Sequence, residues 1–119
     1  MRSFKSSWFA KAANKARISD KELANAIAQV ILGQADDLGG GVFKKRLNKN
    51  EHRAIILSRV QGFWIYEYLF AKKDRDNIDE AELKAFRALV KTYTTLTERQ
   101  IAALIENKEW IEIISEKTQ

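Results

Sequence analysis

The chain has 119 residues, 45% hydrophobic and 31% charged, with a formal net charge of +5 and no cysteine. That balance excludes a disordered chain and a disulfide scaffold, and the length suits one domain with a real core but not two. With a single histidine and no cysteine, a bound zinc or iron is not expected, and no cofactor is called for.

In chain order, Arg2 to Lys5 read as a short strand. A helix follows, capped by Ser6 or Ser7, with Trp8, Phe9, Ala12, Ala13 and Ala16 as its buried stripe. Ser19 and Glu22 form a capping box for a second helix whose apolar face is Leu23, Ile27, Val30 and Ile31, and Gly33 ends it. The connection Arg17–Ile18 is short, so the two helices make an antiparallel pair. Asp36-Asp37-Leu38-Gly39-Gly40-Gly41 reads as a flexible connector. A phosphate-loop reading fails because such a loop needs Gly-Lys-Ser/Thr opening a helix, and a strand follows here.

Three strands then come in succession: Val42–Leu47, His52–Arg59 and Phe63–Lys72. The loops Asn48–Glu51 and Val60–Gly62 suit hairpins, which makes an antiparallel meander. The third of these strands carries large apolar residues on both parities, Phe63, Ile65 and Leu69 against Trp64, Tyr66, Tyr68 and Phe70, so it is expected to be central and covered on both faces. Asp79 with Glu82, and Thr97 with Gln100, mark two more capped helices, one running to about Tyr93 and one over roughly Glu98 to Glu106. The segment from Glu109 to Gln119 suits either a short helix or an added strand. The expected fold is therefore α+β: an N-terminal helical pair packed on a small antiparallel sheet, then C-terminal helices, as one domain with a core of about 1–95 and an extension of about 96–119. No apolar run in Met1–Lys15 is long enough for a signal peptide and no stretch is long enough to span a bilayer, so no membrane association and a cytoplasmic location are expected.

Charge is concentrated in the meander. Val42 to Arg75 holds nine basic residues (Lys44, Lys45, Arg46, Lys49, Arg53, Arg59, Lys72, Lys73 and Arg75) against Glu51, Glu67 and Asp74, a net +6, whereas residues 76–119 carry −3. A basic sheet with an acidic helical tail is suited to a polyanion, nucleic acid above all. By strand alternation Lys44 and Arg46 share a face and Lys45 takes the other, while Arg53 begins the neighbouring strand beside the first pair. Lys72 and Lys73 leave the end of the aromatic strand at the same edge of the sheet. Singly, such cations are ordinary solvated residues; together they are costly unless an anion relieves their repulsion. Tyr68 and Phe70, nearest the basic end, are candidates for stacking bases, whereas Trp64 and Tyr66 read as core. His52 is a candidate general base or surface residue.

The order of elements, with VFKKRL, HRAIIL and an aromatic strand ending FAKK, resembles the RelE/HigB-type toxins of bacterial toxin–antitoxin systems over roughly Phe4 to Thr95; QADDLGGGVFKKRLNKN and YEYLFAKKDR resemble one RelE-like branch particularly closely. The resemblance implies a RelE-like fold and a metal-independent endoribonuclease that cuts messenger RNA, usually on the ribosome. It implies catalytic roles for Lys44, Arg46, Arg53 and Lys73, and RNA contacts by Lys45, His52, Tyr68, Phe70, Lys72 and Arg75. His52 stands where relatives carry an aromatic residue, and Asp74–Asp79 lacks the tyrosine that some relatives place after the closing basic residue. The partners implied are mRNA, the ribosome and a cognate antitoxin, a small helix-turn-helix protein through which DNA would be reached. Two other functions fit the same residues: a non-catalytic RNA- or DNA-binding protein acting within a complex, and a sheet that docks an acidic helix.

Overall fold

The computed structural model describes residues 2–59 and 62–113. Among these described residues, six strands and four helices follow one another as β1 (Arg2–Ser6), α1 (Ser7–Lys15), α2 (Asp20–Ile31), β2 (Asp36–Gly39), β3 (Val42–Leu47), β4 (His52–Arg59), β5 (Phe63–Ala71), α3 (Glu80–Thr94), α4 (Glu98–Glu106) and β6 (Trp110–Glu112). They form one sheet in the order β2-β3-β4-β5-β1-β6. The α+β class and the β3-β4-β5 meander agree with the sequence. The first strand falls where the sequence placed it; the sheet is larger than expected because β2 and β6 join it, and mixed because β1 runs parallel to β5, pairing Arg2 with Phe63 through Lys5 with Tyr66. The undecided C-terminal segment supplies β6, antiparallel to β1, as far as it is described; Ile114 to Gln119, like Val60 and Gln61 of the β4–β5 loop, lie outside the described residues.

Both faces of the sheet are covered. On one, α1 and α2 place Phe9, Ala13, Leu23, Ile27 and Val30 against Leu47, Ala54, Ile56, Tyr66 and Leu69. On the other, Leu83, Phe86, Leu89 and Val90 of α3 pack on Val42, Ile55, Leu57 and Phe70. Ile101 of α4 joins Phe4, Ile65 and Trp110 in a third cluster. Strand β5 is central, as its two-sided apolar pattern requires, and it reverses parity part-way. Ile55 pairs with Tyr68 and Ile56 with Tyr66, so Glu67 is the extra residue of a β-bulge. The bulge turns Tyr68 and Phe70 toward α3, although Tyr66 faces α1, where its hydroxyl donates to the Leu23 carbonyl at 2.8 Å.

The capping signals are largely realised. Asp79–Glu82 and Thr97–Gln100 are complete boxes at the starts of α3 and α4. At α2 only half forms: Ser19 accepts from the Glu22 amide at 3.2 Å, but the Glu22 carboxylate turns to the Asn48 amide and ties α2 to the β3–β4 turn. The glycine run is not a flexible connector. Asp36–Gly39 is a strand, and the glycines make a tight turn with positive φ under α3. A Cβ on Gly41 would stand 2.9 Å from Val90 Cγ1 and 3.2 Å from the Ser58 carbonyl oxygen, so helix and turn meet at the distance only glycine allows. Arg87 crosses the same turn and donates to the Leu38 and Gly39 carbonyls. Trp8 departs from its expected buried stripe: it is 51% exposed.

Candidate functional site

The β3–β4 hairpin fixes the central geometry. Its turn, Asn48-Lys49-Asn50, has three successive residues with φ between 53° and 71°, a left-handed run that asparagine tolerates better than most side chains. The register that follows sets Arg46 directly opposite Arg53, and Arg53 opposite Phe70. These three side chains form a row across β3, β4 and β5 on the α3 face, just beyond the ground α3 covers. Lys44 is one step further along the same face, opposite Ile55. Like charges directly opposed across a strand pair destabilise a sheet. Among the described residues neither Arg46 nor Arg53 has a carboxylate within salt-bridge distance; Arg53 instead donates to the carbonyls of Asn50 and His52, at 3.1 and 3.2 Å.

The other cations are divided between two hollows. β2 begins opposite Lys44, so β3 beyond that point is an open edge. There a hollow of about 390 Å³ is lined by Gly33–Asp36 and by Lys44, Lys45 and Arg46. Lys44 pairs with Asp36 at 3.7 Å, and Lys45, on the opposite face, donates to the Gln34 carbonyl at 3.0 Å. Partial burial and the neighbouring Arg46 charge both lower the Lys45 pKa, burial being the larger cause.

The second hollow, about 610 Å³, lies at the other edge, where β1 has ended and β5 continues alone beside α1. Its lining includes Trp8, His52, Tyr68, Phe70, Lys73 and Arg75. His52 is on the α1 side, its Nδ1 3.1 Å from the Asn48 side-chain amide nitrogen. Lys72 is exposed, with its backbone N–H donating to the Glu51 carbonyl at 2.8 Å. Arg75 lies over the Phe70 ring at 5.5 Å and makes a two-pronged pair with Glu82 in the first turn of α3. That pair raises the Arg75 pKa and lowers that of Glu82.

Of the four cations singled out for catalysis, the structure therefore gathers Lys44, Arg46 and Arg53 on one face and places Lys73 around the β5 edge, linked to them through Phe70. Two of the expected RNA contacts, Lys45 and His52, point to the α1–α2 face. Two features escape the sequence. Trp8 stacks on Tyr68, ring centroids 5.2 Å apart and planes 26° from parallel. Glu67, on the opposite face from Tyr66, accepts a 2.9 Å hydrogen bond from the Tyr93 hydroxyl, and burial raises its pKa. An acid and a tyrosine 26 residues apart leave no local pattern to read. Among the described residues no group of three histidines, aspartates or glutamates is placed to hold a metal ion, and no helix is long and apolar enough to cross a membrane.

Two arginines stand abreast on an antiparallel meander with no carboxylate within salt-bridge distance among the described residues, an arrangement suited to an anion. The family is specific: residues 1–113 match the model of the RelE toxin of the RelE/RelB toxin–antitoxin system, and the chain belongs to that family. It is thus a RelE-type toxin, whose counterpart is a cognate antitoxin. The match extends past Thr95 to include α4 and β6. Comparisons with curated proteins and with solved structures give no match.

Proposed function

We propose that this toxin is an endoribonuclease that cleaves messenger RNA in the ribosome without a metal ion, and that it works as a single cytoplasmic domain restrained by a small helix-turn-helix antitoxin, through which alone it reaches DNA. The observation that carries the reading is the Arg46–Arg53 pair, two guanidinium groups opposed in register with no carboxylate between them among the described residues. A scissile phosphate is the ligand that turns this repulsion into binding energy.

In the proposed reaction the ribose 2′-oxygen attacks the adjacent phosphorus as its proton leaves, and the bond to the 5′-oxygen breaks as that oxygen gains a proton. Negative charge grows on the two non-bridging oxygens. Arg46 and Arg53, held by the hairpin, meet that charge without reorganising, an effect worth about 3 kcal/mol for each well-placed donor. Lys44 adds positive potential from the same face. Lys73, exposed at the end of β5, approaches the phosphate from the other side of Phe70. Tyr68, Phe70, Lys72, Arg75, Lys45 and His52 contact the strand on either side.

Primer extension on translated messages tests the proposal. Wild-type protein should give discrete cleavage stops, and Arg53→Ala and Lys73→Ala should lose them while keeping wild-type circular dichroism. Full cleavage by both variants would remove these residues from the site. A binding-only role has one observation in its favour, since Asp36 and Glu82 already neutralise Lys44 and Arg75. It predicts salt-dependent RNA retention with no stops, even with ribosomes present.

A further inference from the structure

We propose that Trp8 is a base-binding shelf: one unpaired RNA base lies on its outer indole face, and Lys15 and Lys73 take the neighbouring phosphates. The inference rests on the RNA-cleaving reading and adds the path by which the strand leaves the scissile phosphate.

Trp8 occupies a helical position whose 3.6-residue period should bury it, yet it is 51% exposed. It is not loose. Its inner face lies on Tyr68 at 5.2 Å, and Tyr68 is itself backed by Phe70 at 5.9 Å and Phe86 at 6.1 Å. A large rigid ring with one face supported and the other open is the arrangement on which a nucleobase stacks with little loss of side-chain freedom. The shelf has room because β1 pairs with β5 only as far as Tyr66, after which β5 continues without a strand on that side. The hollow so formed is within the range of small-ligand pockets.

Charge selects the occupant. Lys15 and Lys73 line this hollow with Asp74 as its one acid, and Arg75 is already answered by Glu82. An apolar peptide gains little from such a rim, whereas a nucleic acid strand offers phosphates to the lysines and a π-face to the indole. The shelf is also continuous with the proposed site, because Phe70 lines the hollow and is the cross-strand partner of Arg53. A single strand is required, since a base inside a duplex has no free face.

The test uses the full chain and a short single-stranded 2′-O-methyl RNA, in which the attacking hydroxyl is blocked so that binding is read apart from cleavage. By fluorescence anisotropy, Trp8→Ala should bind about tenfold more weakly than wild type, from the usual worth of one base–aromatic stack. Trp8→Phe should stay within about threefold, since it retains a ring. An abasic position scanned along the oligonucleotide should, at one place, abolish the difference between wild type and Trp8→Ala. Unchanged affinity of Trp8→Ala overturns the shelf while wild-type message cleavage leaves the nuclease reading standing. No binding by wild type, with no cleavage on ribosomes, overturns both. If Trp8→Ala instead releases a co-purified antitoxin and leaves RNA binding intact, the shelf is a protein contact and the proposal fails.

Discussion

Replacing Arg46 by Gln should make the protein more stable and less active. The β3–β4 register sets Arg46 directly against Arg53. Cβ atoms of such a pair are about 5 Å apart, and two guanidinium charges at about 7 Å repel by about 0.6 kcal/mol in water and about 2 kcal/mol at an effective dielectric of 20. Arg46 is exposed, which favours the lower figure. Arg46→Gln should therefore gain about 0.5–1 kcal/mol at low ionic strength, a rise in Tm of about 2–6 °C for a domain of this size. In 1 M salt, where the screening length falls to about 3 Å, the gain should vanish. Adding Arg53→Gln should give little more, because the first change already relieves the pair. Message cleavage should fall by about 10²–10³ in the single variant. Thermal melts at two salt concentrations, beside primer extension on the same preparations, measure all of this. A loss of stability on Arg46→Gln, or a gain that persists in 1 M salt, would refute the idea that the two arginines are held together against their repulsion for an anion.

Two further outcomes concern the frame. Gly41→Ala should cost about 1–3 kcal/mol in chemical denaturation, because the added Cβ meets Val90 and the Ser58 carbonyl at a positive φ; Gly33→Ala, with open space around it, should cost only about 1 kcal/mol from backbone strain. Glu67 should make stability pH-dependent. Its folded pKa is raised from the ordinary 4.5 by burial, against the opposing hydrogen bond from Tyr93. Its contribution is thus fully present below the unfolded value and lost as pH rises through the folded one. Glu67→Gln should flatten that decline in denaturation curves recorded from pH 4 upward; an unchanged slope would assign the dependence to other groups.

Much of the frame was legible because it is local. Val42–Leu47 and His52–Arg59 announce themselves by alternation and turn residues, and Ser19, Asp79 and Thr97 mark helix starts through side chains that reach only three residues. Lys44 and Arg46 were placed on one face by the period of two alone, whereas the face Arg53 takes is set by the β3–β4 register. What was not legible depends on partners distant in the chain. Asp36–Gly39 has the composition of a loop and becomes a strand because β3 offers it an edge. The parallel pairing of β1 with β5 has no turn to announce it. The bulge at Glu67, which carries Tyr68 to the α3 face, comes from fitting β5 to β4. Trp8 kept its helical position but lost its core role because β1 stops short and leaves nothing beside β5 to bury it.

The tight left-handed turn at Asn48–Asn50 makes loop length a chemical variable. Side chains alternate along β4, so one residue more or fewer there would exchange the two sides of that strand against β3. Arg53 would then move to the flank shared by α1 and α2, and its place across from Arg46 would go to His52 with one residue more or to Ala54 with one fewer. Three residues with unusual backbone angles thereby decide which side chain confronts the guanidinium on β3.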